Sequence, residues 1–154
     1  MQQIFAEETF SAPRWLKIIC YVSSFVLFLL GVELLMMKDA PTEVLFVVPL
    51  IFFVVLSMLM YTRLKLVISN AGIRYIGGLR KHDFSWGDIT GIDMVRLGKF
   101  ETPNATIYYS GRKLGLSMGF YLKPNYNRIL SMLEMKVQPG VFTEEYWSIA
   151  KLIK

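Results

Sequence analysis

Cysteine occurs once in this sequence, at Cys20, and histidine once, at His82. A lone cysteine excludes an internal disulfide and a thiolate zinc cluster. Cys20 lies inside an apolar run, where a packed, unreactive thiol is expected. A lone histidine leaves little for nucleophilic catalysis, which needs a nucleophile, a base and an orienting group together. His82, beside Lys81 in a short strand or turn, reads as a solvated surface side chain. Asp83, Asp88 and Asp93 fall five apart, unlike the ligands of a calcium loop, and Asp88 is expected to cap the turn after Trp86. Gly77 and Gly78 have neither the Lys-Ser/Thr context of a phosphate loop nor the strand-to-helix setting of a dinucleotide fingerprint. No catalytic residue, cofactor or metal is expected, and the chain reads as a non-enzyme.

Two stretches have little or no charge. Residues 15–37 (WLKIICYVSSFVLFLLGVELLMM) and 44–61 (VLFVVPLIFFVVLSMLMY) are apolar, and about 20 helical residues cross a hydrocarbon core. The segment before them, MQQIFAEETF, is acidic and polar, and the first apolar run is too long for the h-region of a signal peptide, so the helix is expected to stay in the mature protein. The link KDAPTE is so short that the helices must be antiparallel neighbours, with Pro41 at the turn or the start of the second helix. Arg14 and Lys17 flank the first helix and Arg63 and Lys65 follow the second, against Lys38 alone in the link; the positive-inside rule therefore puts both termini in the cytoplasm. Expected domains are a cytoplasmic N-terminal segment (1–13), a transmembrane hairpin (14–62) and a cytoplasmic domain (63–154).

Within the hairpin, Cys20, Ser24 and Gly31 make a small-residue stripe suited to close helix packing, within the hairpin or on another protein. Glu33, one turn from the outer end, is expected to reach the outer interface or pair with a partner subunit rather than carry protons. With them it completes a candidate helix–helix contact: Cys20, Ser24, Gly31 and Glu33. Pro49 is given no function.

Charge divides along the same line. Residues 1–62 hold three Lys/Arg against five Asp/Glu, and residues 63–154 fourteen against seven, within a total of +5. A basic domain next to a membrane anchor points to anionic headgroups rather than nucleic acid. Arg80, Lys81, Arg112 and Lys113, at or near turns, are the candidate anionic-lipid contacts if those turns share an end of the sheet; the plainer reading is ordinary solvated turn residues.

From Leu64 the pattern turns to period two. Leu64, Leu66 and Ile68 alternate with polar residues, Asn70-Ala71-Gly72 makes a turn, and strands follow at IRYIGG and Lys81–Ser85. WGDITGIDMVRL reads as an extended segment with a bend, GKFETPN as a loop, and ATIYYS as a strand. A turn at Gly111-Arg112 leads to LGLSMGFYL, whose strict alternation makes it the clearest strand. Asn104-Ala105-Thr106 matches a glycosylation acceptor, which the cytoplasmic placement makes irrelevant. After Pro124, Tyr126, Ile129, Leu130 and Leu133 have the spacing of one helical face. QPG at 138–140 ends that helix, and Thr143 caps a second with acids early and lysines late. Its stripe of Phe142, Tyr146, Ile149 or Ala150, and Ile153 is suited to cover the sheet, a membrane surface or another protein.

A two-helix anchor, the strand LVISNAGI, the segment FSWGDITGID and a closing amphipathic helix, in that order, resemble membrane-anchored bacterial pleckstrin-homology-like (PH-like) proteins over nearly the whole chain. The motif carrying the resemblance is Trp86, Asp88 and Ile89 after a strand–turn–strand with Gly72. It implies a membrane α-helical hairpin plus an α+β domain: a bent antiparallel sheet or partial barrel, closed by the helix at about 125–136, with helix 143–153 as an addition. Eukaryotic PH domains that hold phosphoinositides cluster basic residues around the first strands; here Ser69-Asn70-Ala71-Gly72 is uncharged and only Lys65 and Arg74 are near, so specific inositol-phosphate recognition is not expected.

The expected function is that of an accessory or scaffold subunit of a larger bacterial inner-membrane complex, or a homo-oligomer. Tyr146, Trp147, Ile149 and Ile153 form the candidate partner interface, with Tyr108, Tyr109 and Tyr121 as further aromatics. The alternative is a surface module that binds anionic membrane lipids.

Overall fold

A computed structural model describes residues 6–39 and 41–154, and of Leu45 only the backbone. Residues 1–5 of the expected N-terminal segment and Ala40 of the expected link lie outside the described residues. The chain forms two compact units: Ser11–Lys65 with Ile76–Arg80, and a sheet unit of Leu66–Tyr75, Lys81–Lys154 and the segment ahead of Ser11.

The helical unit holds α1 (Arg14–Met36) and α2 (Thr42–Thr62), whose ends agree with the apolar runs to within two residues. Each is preceded by an extended proline, Pro13 or Pro41, where the missing N–H costs no helical hydrogen bond. Cys20, Ser24 and Gly31 are the buried residues of α1. At Gly31 an added Cβ would stand 3.2 Å from the Phe52 ring of α2, and Phe28 meets Phe52 edge-on with ring centroids 5.7 Å apart. The stripe thus serves the α1–α2 contact, and Glu33 lies off it, exposed. Apolar side chains point outward all round both helices, with Phe25, Phe46 and Phe53 each at least 64% exposed. Both helices are long and apolar enough to cross a membrane.

The sheet unit begins ahead of the helices. β1 (Glu8–Ser11) joins β2 (Lys65–Ile68), β3 (Gly72–Ile76) and β4 (Lys81–Ser85) in the order β1-β2-β3-β4. The expected N-terminal segment (1–13) therefore supplies a strand, and Phe10 is buried in the core. After one turn of 3-10 helix at Trp86–Asp88, β5 (Ile89–Leu97), β6 (Thr102–Tyr109) and β7 (Arg112–Ser117) form an antiparallel meander. The single bent sheet expected from the sequence is thus two sheets, of four and three strands.

Three boundaries differ from expectation. β6 starts at Thr102, inside the expected loop. Pro103 is tolerated there because β7 pairs with β6 only from Asn104 onward, leaving Pro103 a neighbour on one side alone. The β6–β7 turn is Ser110-Gly111, both at positive φ as a two-residue hairpin of type I′ requires, and Arg112 already belongs to β7. The strand expected over 114–122 stops at Ser117; Met118–Tyr121 turns helically and Leu122 takes φ 61°. Alternation would have buried Phe120 and Leu122, yet these are half exposed and Tyr121 is buried instead.

Beyond that break, α3 (Met118–Lys136) is regular and buries Tyr126, Ile129, Leu130 and Leu133, as their spacing predicts. Thr143 caps α4 (Glu144–Ile153) by accepting from the Tyr146 N–H at 3.2 Å. A short parallel bridge, Ile92 with Phe142, and the Thr143 N–H to Ile92 carbonyl bond (3.0 Å) fix the start of α4 on β5.

Candidate functional site

The residues carrying the sequence motif meet at one corner of the first sheet. A Cβ on Gly72 would lie 2.1 Å from the Phe84 carbonyl oxygen, so β3 and β4 approach as closely as they do only because that residue is glycine. The 3-10 turn then starts on Ser85, whose N–H and hydroxyl both donate to Asp88 Oδ2 at 2.9 Å. These two bonds, backbone first, hold the Asp88 carboxyl below its usual range. Asp88 caps this turn as the sequence predicts. Trp86 Nε1 donates to the Ser69 carbonyl at 2.9 Å, tying the turn to the β2–β3 loop. The motif is therefore architectural: it joins two hairpins.

Beside this corner is an open groove of about 370 Å³. Its charged lining is Glu7, Asp83, Asp88 and Arg74, and Arg74 is already paired with Asp83 at 3.1 Å. An inositol phosphate there would meet a surplus of negative charge. The three aspartates spaced by five have separate duties: Asp83 pairs with Arg74, Asp88 caps its turn, and Asp93 accepts from the Met94 N–H (2.8 Å) and the Thr143 hydroxyl (2.6 Å). Among the described residues no group of His, Cys, Asp and Glu is placed to hold a metal.

The basic residues have a different setting. His82 and Phe84 lie on the inward face of β4 and meet Tyr109 of β6: Phe84 stacks on it with ring centroids 3.8 Å apart, and His82 Nδ1 bonds the Tyr109 hydroxyl. His82 is thus part-buried between the sheets, not the solvated residue expected, because it shares the alternation of Phe84. Tyr109 in turn pairs with Arg112, and Tyr108 with Lys113. Within the sheet unit, Lys81 at the start of β4 and Arg112 and Lys113 at the start of β7 accordingly lie at one end. Arg80, adjacent in sequence, belongs to the helical unit; all four cations are exposed.

The expected partner interface is corrected in part. Tyr146 and Ile153 are buried in the chain's own core, where Tyr146 donates to Glu134 Oε1 at 2.9 Å and Lys154 pairs with the other carboxylate oxygen. Trp147 and Ile149 pack against that core but stay partly open. Of the remaining aromatics, Tyr109 and Tyr121 are buried and Tyr108 is 42% exposed. The apolar stripe of α4 covers the sheet, the first of the surfaces it suits, because β5 and α3 leave an apolar seat there.

The sequence family described as Bacterial PH domain matches residues 4–141. The chain belongs to the Bacterial PH domain family. No curated protein and no solved structure matches it. The Bacterial PH domain match takes in β1, both apolar helices, both sheets and α3, and ends before α4. PH-like domains are generally non-catalytic binding or scaffold modules. The contribution of β1 to this domain is not legible in the sequence because four residues carry too short an alternation, with Phe10 between polar neighbours.

Proposed function

We propose that this chain is a membrane-anchored, non-enzymatic scaffold subunit of a larger bacterial inner-membrane assembly, with α1 and α2 in the bilayer and the PH-like domain on the cytoplasmic side. The observation that carries this is where the helices enter the fold. They interrupt one sheet, between β1 and β2, so both ends of the pair return to the same domain. Two antiparallel crossings meet that requirement, and helices whose outward faces carry this many exposed apolar side chains are at home in lipid. The positive-inside count then favours the cytoplasm for the domain. Exposed Tyr108 and the partly open Trp147 and Ile149 remain the candidates for a partner's surface.

Extraction in mild detergent followed by cross-linking and mass spectrometry tests this reading: stoichiometric membrane-protein neighbours are expected. A strictly monomeric particle without cross-linked neighbours would refute it.

A second reading is favoured by the shared end of Lys81, Arg112 and Lys113: contact with anionic headgroups, at about 1 kcal/mol per well-placed charge. Because β1 precedes the helices, the test needs the full chain rather than residues 63–154. In nanodiscs, Lys81 and Lys113 should resist amine-reactive labelling only when the bilayer is anionic, and high salt should remove the protection. Equal labelling in zwitterionic and anionic discs would exclude it.

A further inference from the structure

The β3–β4 turn lies between strands of the sheet unit yet clusters with the helices: Ile76–Arg80 belongs to the helical unit. The turn is tight, with the Gly77 N–H donating to the Arg80 carbonyl at 2.8 Å. It packs directly on α2. A Cβ on Gly78 would stand 2.9 Å from Met60 Cβ and 3.1 Å from its sulfur, so the absence of a side chain at 78 lets the turn approach the helix.

The level of that contact matters. Met60 is within the last turn of α2, three residues short of the exposed cap residue Arg63, a rise of about 4.5 Å along the axis. The turn is therefore held beside the end of the apolar run, where a spanning helix passes from hydrocarbon to headgroups. At this level the next residue, Leu79, is 87% exposed, and Arg80 follows it. A single exposed leucine on a soluble surface needs no explanation. This one stands on a turn whose Gly78 rests against the end of an apolar helix, and two cations follow it, the arrangement of an interfacial anchor: an apolar tip among the acyl chains, with basic groups at the phosphates.

The geometry points to Leu79 as a membrane-inserting residue, with the turn Gly77–Arg80 forming a third, shallow attachment to the lipid interface beside the two helices. This rests on the proposal that α1 and α2 cross the bilayer.

The test uses the full chain with Cys20→Ala and an environment-sensitive fluorophore on Leu79→Cys, reconstituted into phospholipid vesicles containing anionic lipid. Phe100→Cys, at the β5–β6 turn and 89% exposed in the native residue, is the matched control. Expected for Leu79 are blue-shifted emission, at least twofold stronger quenching by lipid spin-labelled near the headgroup than by lipid labelled at mid-bilayer, and shielding from aqueous iodide, none of which the Phe100 site should show. Alkaline carbonate extraction of the same vesicles separates the two ideas. If the protein resists extraction while the Leu79 probe stays open to iodide, the anchor is refuted and the spanning helices stand. If carbonate releases the protein, both fail. Shielding in native membranes but not in pure lipid would assign Leu79 to a protein partner and overturn the proposal.

Discussion

Glu8 and Arg128, 120 positions apart, meet in a two-pronged ion pair, Arg128 Nε to Oε2 at 2.6 Å and Nη2 to Oε1 at 2.5 Å. One partner precedes both apolar helices and the other lies on α3, so the pair closes the sheet unit across the entire insertion. The hydrogen bonds from Arg128 hold the Glu8 carboxyl below its usual range, although partial burial acts the other way. A lowered carboxylate pKa stabilises above the unfolded value and loses that stabilisation as pH falls through the folded one. Glu8→Gln is therefore expected to lower the unfolding midpoint in detergent at neutral pH. The gap to wild type should begin to narrow as pH falls below the unfolded value of about 4.5 and close only once the folded carboxylate is protonated as well, and it should shrink in high salt because Arg128 is largely exposed. Urea titrations at several pH values would check both trends.

Phe10 makes the same point through packing. It is 5% exposed and belongs to the core cluster shared with Leu66, Ile73 and Tyr126. Phe10→Ala is expected to destabilise the PH-like domain by about 3 kcal/mol, as loss of a buried ring does elsewhere. Pulse proteolysis of the full chain, reading cleavage within residues 66–154, measures this. A domain independent of the N-terminal segment would show no change.

How far the sequence reveals this molecule follows from the length of each signal. The two apolar runs and the helical face Tyr126, Ile129, Leu130, Leu133 each persist over several turns, and their elements appear where periodicity puts them. β4 coincides with Lys81–Ser85 because turn residues bound it on both sides. Tyr121 and Leu122 mislead for the opposite reason: period two continues past Ser117, while Leu122 at positive φ and Pro124 redirect the backbone, and no local pattern announces a single left-handed residue. The basic residues were visible as turn residues. That Lys81 and Arg112 share an end depends on the His82–Tyr109 contact between sheets, which no sequence spacing contains. The setting of Leu79 is not legible in the sequence because it depends on Gly78 resting on Met60, a contact between elements on either side of β2 and β3.

Gly72 separates a structural glycine from a merely tolerated one. Its Cβ would intrude on the Phe84 carbonyl and the Ser85 Cα, both backbone, so neither can swing aside. Gly72→Ala is expected to cost about 3 kcal/mol or more and to loosen the Trp86–Ser69 bond. Gly115→Ala, where the nearest atoms are those of Asn104 at 3.8 Å, should stay within about 0.5 kcal/mol of wild type. Chemical unfolding followed by Trp fluorescence compares the two, and equal effects would remove the close approach as the reason for glycine at 72.

Two buried tyrosines set the alkaline limit of the fold. Burial pushes the Tyr126 hydroxyl up to about 12. Tyr146 is raised further by burial and then by its bond to the Glu134 carboxylate, which favours the protonated phenol. Both must stay neutral in the folded chain but ionise near 10 when unfolded. Their contribution is therefore whole below about pH 10 and is lost as pH climbs through the folded values. Wild type should begin to destabilise above about pH 10, with the tyrosinate absorbance of these two residues appearing only as the domain unfolds. Tyr146→Phe gives up the Glu134 bond and is expected to cost about 1–2 kcal/mol at neutral pH. It also deletes an ionisable group that favours unfolding in alkali, so the deficit should narrow as pH rises past 10. Unfolding midpoints of both proteins across pH 7 to 11 would show this convergence, and parallel curves would mean that Tyr146 titrates no differently in the folded and unfolded chain.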